Sequence, residues 1–264
     1  MNQQLGELWR ARHFIRTSIR NEFVSRVVRS RLGFLWIVLY PLAQVAIYAF
    51  VLSIVMAAKL PGLTTAYAYP IYLTAGILAW SLFAEIVSRS LNLYIENGNL
   101  LKKVVFPKLA LPAIMTGSAL LNNLLLLAAV LVIFAFLGHL PGAAIVWLPI
   151  LMALLLVLAL GVGLLLGLLN VFIRDIGQIV SIVLQFGFWL TPIVYNLELL
   201  SERYRHLLYL NPLTGIVQGY QDVLLYRQAP DLGVLIYPAT CAAVSVVLAV
   251  WVYRRGIDDV VDVL

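Results

Sequence analysis

From Leu109 to Ile173 the chain contains no Asp, Glu, Lys or Arg. A helix crosses the hydrocarbon layer of a bilayer in about 20 residues, so this block is too long for one crossing. Gly138-His139-Leu140-Pro141-Gly142 supplies a turn in its middle, because glycine and proline interrupt helices and open tight bends. The block therefore predicts two adjacent antiparallel spans, 110-137 and 143-169. The remaining chain cannot be split into a buried core and a wetted surface either, with 63% apolar and only 11% charged residues overall, where a soluble domain carries about 25% charge. Charges, prolines and glycines mark four more spans at 34-57, 70-88, 176-196 and 233-253. The predicted fold is an all-α integral membrane protein with six transmembrane helices in a single domain, residues 32-264, preceded by an amphipathic segment, 1-31.

Positive residues near span ends resist translocation and set orientation. With the N-terminus inside, fourteen of the eighteen Lys and Arg fall on inner segments, and only Lys59, Arg203, Arg205 and Arg227 fall outside. Both termini are then cytoplasmic. The net charge of +6 has a membrane explanation, and no nucleic-acid partner is needed. The polar, basic first 31 residues do not resemble a cleavable signal peptide. A lone Cys241 excludes an internal disulfide and reads as a packing residue.

Ile15, Ile19, Phe23 and Val27 recur every fourth residue, with Arg12, Arg16 and Arg20 in the neighbouring row. Such a helix suits the membrane surface, its apolar side chains in the headgroup boundary and each arginine worth about 1 kcal/mol against anionic lipid. Gly33 allows the chain to turn into the first span, and Trp36 and Tyr40 mark that span's start. The plainer reading, that the arginines only determine topology, is compatible with this one.

Coupling to protons or ions usually needs ionisable groups inside the membrane, and none is expected near a midplane. Glu85 lies close to the inner end of span two, Arg174 and Asp175 in an inner loop, and His139 in an outer turn. There is no G-x-x-x-x-G-K-[ST], H-E-x-x-H or paired-Cys motif. A secondary transporter and a membrane-embedded enzyme are both disfavoured, and energy for uphill movement must come from another chain. The inner segment 92-107 carries Ile95, Leu100, Leu101, Val104 and Val105, is broken at Asn97-Gly98, and reads as a docking element rather than a solvated basic loop. On the outer side, 195-230 predicts two short interfacial helices near 198-207 and 213-226.

Five stretches taken in order resemble one family: "SRLGFLW" (30-36) followed by Pro41, "NLLKKVVFPKLALP" (99-112), "NVFIRDIGQIV" (170-180), "FWLTPIVY" (188-195) and "LNPLTGIVQGYQDVLL" (210-225). The chain is similar along nearly its whole length to the ABC-2 type membrane permeases that export O-antigen, capsular polysaccharide or teichoic acid. The resemblance implies a transport subunit, not an enzyme, in the bacterial inner membrane. It further implies a homodimer bound to two cytoplasmic ABC ATPase subunits. No cofactor is expected in this chain, ATP and Mg belonging to the partner. Glu96, Asn97, Asn99, Leu100, Leu101, Lys102 and Lys103 inherit the coupling role, and segment 197-230 that of an outer gate. The implied substrate is a lipid-linked polysaccharide threaded between two copies. Tyr40, Tyr48, Phe186, Trp189 and Tyr195 are candidates for the channel wall, since sugar C-H faces stack on aromatic rings, although such rings also form interfacial belts. Arg10, Arg12 and Arg16 are candidates to meet the lipid diphosphate. A permease of the same fold that exports a drug, lipid or other small molecule is the nearest alternative.

Overall fold

The computed structural model describes Gly6 and residues 11–28, 35–48, 50–51, 67–103 and 107–263, and the regular structure among them is helical. In chain order the helices are α1 (Arg12–Val28), α2 (Leu35–Tyr48), α3 (Ala68–Glu96), α4 (Gly98–Lys103), α5 (Ala110–Phe136), α6 (Leu148–Phe172), α7 (Asp175–Trp189), α8 (Glu202–Tyr209), α9 (Pro212–Gln221) and α10 (Leu232–Val263). A 3-10 turn, Gly142–Trp147, leads into α6, and a wide π turn, Asp222–Tyr226, follows α9. In lipid every backbone N–H and C=O must be paired within the protein, and the long Leu-, Ala- and Val-rich runs meet that demand as helices.

Among the described residues, four helices are long and apolar enough to cross a membrane: Ala68–Glu96, Ala110–Phe136, Gly142–Phe172 and Leu232–Gly256. Of the other two expected spans, one is shorter as a helix and one is described only in part. Helix α7 has 15 residues, about 22 Å at 1.5 Å per residue, and stops at Trp189. Residues 190–196 of the expected span 176-196 are non-helical. Helix α2 has 14 residues, and residues 52–57 of the expected span 34-57 lie outside the described residues. Span two extends the other way: α3 runs unbroken past residue 88 to Glu96, so the first part of segment 92-107 is the end of a transmembrane helix.

The core is built on α3, which packs against both α5 and α6, while α6 packs against α10. Small residues make this close approach possible. On α6, Gly163 and Gly167 face Ser90 of α3, and Gly161 faces Ser245 of α10, the small-residue contact typical of membrane helices. The turn between α5 and α6 uses left-handed glycines, Gly138 at φ 69° and Gly142 at φ 61°. The two helices are antiparallel as expected, but they are not close neighbours, because α3 takes the surface each would offer the other.

The ends of the bundle differ. One gathers α1, the C-terminal turns of α3, α6 and α10, and the N-terminal turns of α5 and α7, and it holds Arg12, Arg16, Arg20, Arg89, Lys102, Lys108, Arg174, Arg254 and Arg255. The other holds the α5–α6 turn and segment 190–231, with Arg203, Arg205 and Arg227. There His139 Nε2 lies 3.0 Å from the Leu224 carbonyl.

Candidate functional site

At the basic end, α3 stops where Asn97 leaves helical geometry at φ -102°, ψ 13°. Its side-chain Nδ2 donates to the Leu93 carbonyl at 2.8 Å, and its own carbonyl accepts from Leu100 N at 3.0 Å to start α4. The break expected at Asn97-Gly98 is therefore present. The seven candidate coupling residues divide. Glu96 and Lys102 are exposed, Asn97 is half-buried, and Leu100 packs against the protein's own hydrophobic core. Leu100 is thus half-buried against its own subunit. The side chains of Asn99, Leu101 and Lys103, and residues 104–106, lie outside the described residues. The "NVFIRDIGQIV" stretch forms the neighbouring corner. Asn170, buried, donates from Nδ2 to the Leu91 carbonyl at 2.9 Å and accepts from Gly177 N at 2.7 Å, so one amide ties α3, α6 and α7 together.

Helix α1 lies against α5. Its apolar row does not simply face lipid: Ile19 rests on Gly117, where a Cβ would collide with it. Together α1 and α5 enclose a groove of about 760 Å³, with Leu120, Leu121 and Leu124 on one wall, Ile15, Ile19 and Phe23 on the other, and Arg12, Arg16 and Arg20 along it. Arg10 lies outside the described residues. An ion cluster beside the groove secures the helix: Arg89 of α3 bridges Glu22 of α1 and Glu85, and Asn122 of α5 donates to Glu85 Oε1 at 2.8 Å. Sequence reasoning placed Glu85 near the inner end of span two but missed this pairing.

The five candidate channel aromatics do not form one surface. Tyr48 of α2 sits with its ring centroid 5.7 Å from Phe188 and 6.2 Å from Trp189 of α7. Phe186 and Trp189 are exposed at 62% and 52%, and Tyr40 is exposed further along α2. Tyr195 instead packs against the core. Two rings escaped the sequence reading. Phe188 and Trp80, 5.8 Å apart, join α7 to α3, with Gly187 opposite the Trp80 ring; an aromatic in the middle of a predicted span was the available signal.

The outer segment forms two short helices, α8 and α9, that differ in burial. Helix α8 is largely exposed, but in α9 and the π turn Thr214, Ile216, Tyr220, Val223 and Leu224 are all 0% exposed. The non-helical stretch after α7 is buried too, and side chains satisfy its backbone. Tyr69 Oη donates to the Val194 carbonyl at 2.6 Å, Tyr72 Oη to those of Pro192 and Tyr195 at 3.1 and 2.8 Å, and Gln221 Nε2 to Pro192 at 2.9 Å. Asn211 Nδ2 donates to Thr191 Oγ1 at 2.9 Å. Irregular backbone at membrane depth is tolerated when protein covers it in this way. Helix α9 approaches α10 at Gly215, beside the Val234 carbonyl, which Pro238 four residues on leaves without its helical N–H. At the end of the segment Asp222 accepts from Gln228 Nε2 at 3.1 Å, while burial pushes its carboxyl pKa up.

The described residues contain no group of three His, Cys, Asp or Glu able to hold a metal ion. The arrangement is a packed helical bundle with a basic end, an outward face on α2 and α7, and a clamped outer segment. The family described as ABC-2 type transporter matches residues 13–225, from α1 to the π turn. The O-antigen export system permease protein RfbA of Myxococcus xanthus is 30% identical over 250 residues, covering 94% of this chain and 93% of that protein. The protein of the same name from Klebsiella pneumoniae is 30% identical over 204 residues, 76% of this chain and 75% of its own. The polysialic acid transport protein KpsM of Escherichia coli is 24% identical over 237 residues, 88% of this chain and 89% of its own. The chain belongs to the ABC-2 type transporter family.

Proposed function

We propose that the chain is the membrane-spanning subunit of an ATP-driven exporter that moves a lipid-linked polysaccharide from the cytoplasm across the bacterial inner membrane. Two copies form the passage, and two cytoplasmic ABC ATPase subunits, with ATP and Mg, supply the energy. The observation that carries the reading is the near end-to-end similarity to relatives named for O-antigen export. The geometry supports it in three places. The exposed Glu96 and Lys102 at the end of α3 and on α4 offer a charged ledge for an ATPase cleft, and Asn97, Asn99, Leu100, Leu101 and Lys103 complete the coupling segment. Tyr40, Tyr48, Phe186 and Trp189 give the outward face of α2 and α7 flat rings on which sugar C-H faces slide, with Tyr195 buttressing the exit from behind. Arg10, Arg12 and Arg16 meet the substrate's diphosphate in the inner leaflet, beside the apolar groove under α1. Segment 197-230 closes the outer side as a gate.

The test is genetic and biochemical. Removing this chain from its host should make a lipid-linked glycan accumulate on the cytoplasmic side of the inner membrane, and restoring it with its ATPase should clear that pool. Purified alone, it should hydrolyse no ATP above background. Unchanged glycan export in its absence, or ATPase activity intrinsic to the chain, would sink the proposal.

A further inference from the structure

Helix α7 has the sequence DIGQIVSIVLQFGFW, in which Gln178, Ser181 and Gln185 are the polar residues after its first turn. Their spacing of three and four puts them on one helix face, and all three are exposed. Val180 and Phe188 are the buried side chains of this helix. Ser181 Oγ donates to the Gly177 carbonyl at 2.8 Å, which leaves its oxygen free to accept. Arg174, one turn earlier, shares a cleft of about 690 Å³ with Gln178 and Ser181. Across this cleft stand Ser88 and Asn92 of α3. These two, with Glu96, are the exposed positions along α3, a helix otherwise embedded in the bundle.

An amide facing hydrocarbon without a partner costs several kcal/mol, and two glutamines aligned on one face of a short apolar helix do not belong against lipid. We infer that Gln178, Ser181 and Gln185 of α7, continued by Ser88 and Asn92 of α3, form a wet hydrogen-bonding track for the hydroxyl groups of the exported glycan. The inference rests on the proposed passage between two copies and assigns residues to its inner half. Amides and hydroxyls each donate and accept, as sugar hydroxyls do, so partners can be exchanged as the polymer advances. No carboxylate or ammonium interrupts the three α7 positions, so no repeat unit is held at a fixed charge. Arg174 stands at the cytoplasmic mouth, and the exposed ring of Trp189 continues the same face at the outer end.

The test uses the complex assembled with its ATPase in inside-out membrane vesicles, in a Cys241→Ser background. Single substitutions Gln178→Cys, Ser181→Cys and Gln185→Cys should react with a negatively charged methanethiosulfonate about tenfold faster than Ile179→Cys and Val183→Cys, because charged reagents reach wet surfaces only. Equal rates on the two faces, as for a helix pair sealed against its twin or against lipid, overturn the track. In the second arm, Gln178→Leu with Gln185→Leu should lower glycan export about tenfold, two amide partners being lost, while the ATPase still co-purifies. The corresponding double asparagine variant should recover much of the rate. Normal export by the double leucine variant overturns the inference and leaves the functional proposal standing. Lack of any glycan export by the wild-type complex overturns both.

Discussion

Four side chains hold the outer turn in place, and each reaches across more than a dozen residues of sequence. Tyr72 is the most consequential, since its one hydroxyl serves the Pro192 and Tyr195 carbonyls. A buried acceptor that loses its donor costs about 1–3 kcal/mol. Tyr72→Phe is therefore expected to lower thermal stability of the detergent-purified protein by an amount in that range, and Gln221→Leu to do the same through Pro192. Wild-type melting for both would show that the stretch is held by packing alone. The stretches "FWLTPIVY" and "LNPLTGIVQGYQ" were recognisable in the sequence as family marks. Their physical purpose was not, because nothing in one dimension says that Asn211 finds Thr191 or that Gln221 finds Pro192. The pairing of Glu22 with Arg89, 67 residues apart, was hidden for the same reason. Tyr195 packs against the core, and an aromatic at a span exit looks alike in sequence whether it faces a passage or the bundle.

The element most exposed to single substitutions is α6. Gly163 and Gly167 leave no room for a Cβ against Ser90, and forcing bulk into a packed helix contact costs about 1–3 kcal/mol or more. Gly167→Leu is expected to abolish a stable folded chain, seen as aggregation on gel filtration, whereas Gly6→Leu, with open space around Gly6, should be silent. A monodisperse Gly167→Leu protein would mean that α3 and α6 do not meet as described. Coupling is also a matter of elements. Because Leu100 packs inward, an acidic residue there would damage the bundle and say little about docking. The informative variants are Glu96→Lys and Lys102→Glu, which should weaken ATPase co-purification about tenfold while the chain remains folded, charge reversal at an interface costing at least the 1.4 kcal/mol of one decade. Full retention of the ATPase would move the docking surface elsewhere. Of the uncharged block, α5 was legible to within a residue, since length and hydrophobicity decide it, whereas α6 begins at Leu148 behind a 3-10 turn and runs on to Phe172. Helix α7 ends earlier than the apolar run that suggested it, because such a run continues through a buried non-helical turn as readily as through a helix. The burial of α9 was not legible because its polar residues, among them Thr214 and Gln221, are satisfied inside the protein rather than by water.

At the scale of the molecule, the basic residues collect at one end, and the positive-inside tendency assigns that end to the cytoplasm. In intact cells, Gly62→Cys, Leu140→Cys and Arg203→Cys are expected to react with an impermeant thiol reagent, and Asn99→Cys and Gly256→Cys are not. Labelling at 99 from outside would invert the orientation. Family and membrane class were readable from the sequence because they are written in composition and in motif order. The outward face of α7 was only half readable, its aromatic positions noticed and its glutamines passed over among stronger hydrophobic signals. That helix is secured at both extremities, by the Asn170 corner below and the clamped turn after Trp189 above, and between them it is held along one side, where Val180, Leu184 and Phe188 meet the core. It behaves as a strut in a frame. Load along its axis runs into the two fastenings, while the side away from the core is left exposed by its own subunit. On the two-copy reading, the calibre of the bore is then a property of the pair. On that reading it would widen when the subunits lean apart, with no bond inside either one broken, so that one passage would take thick and thin cargo without refolding.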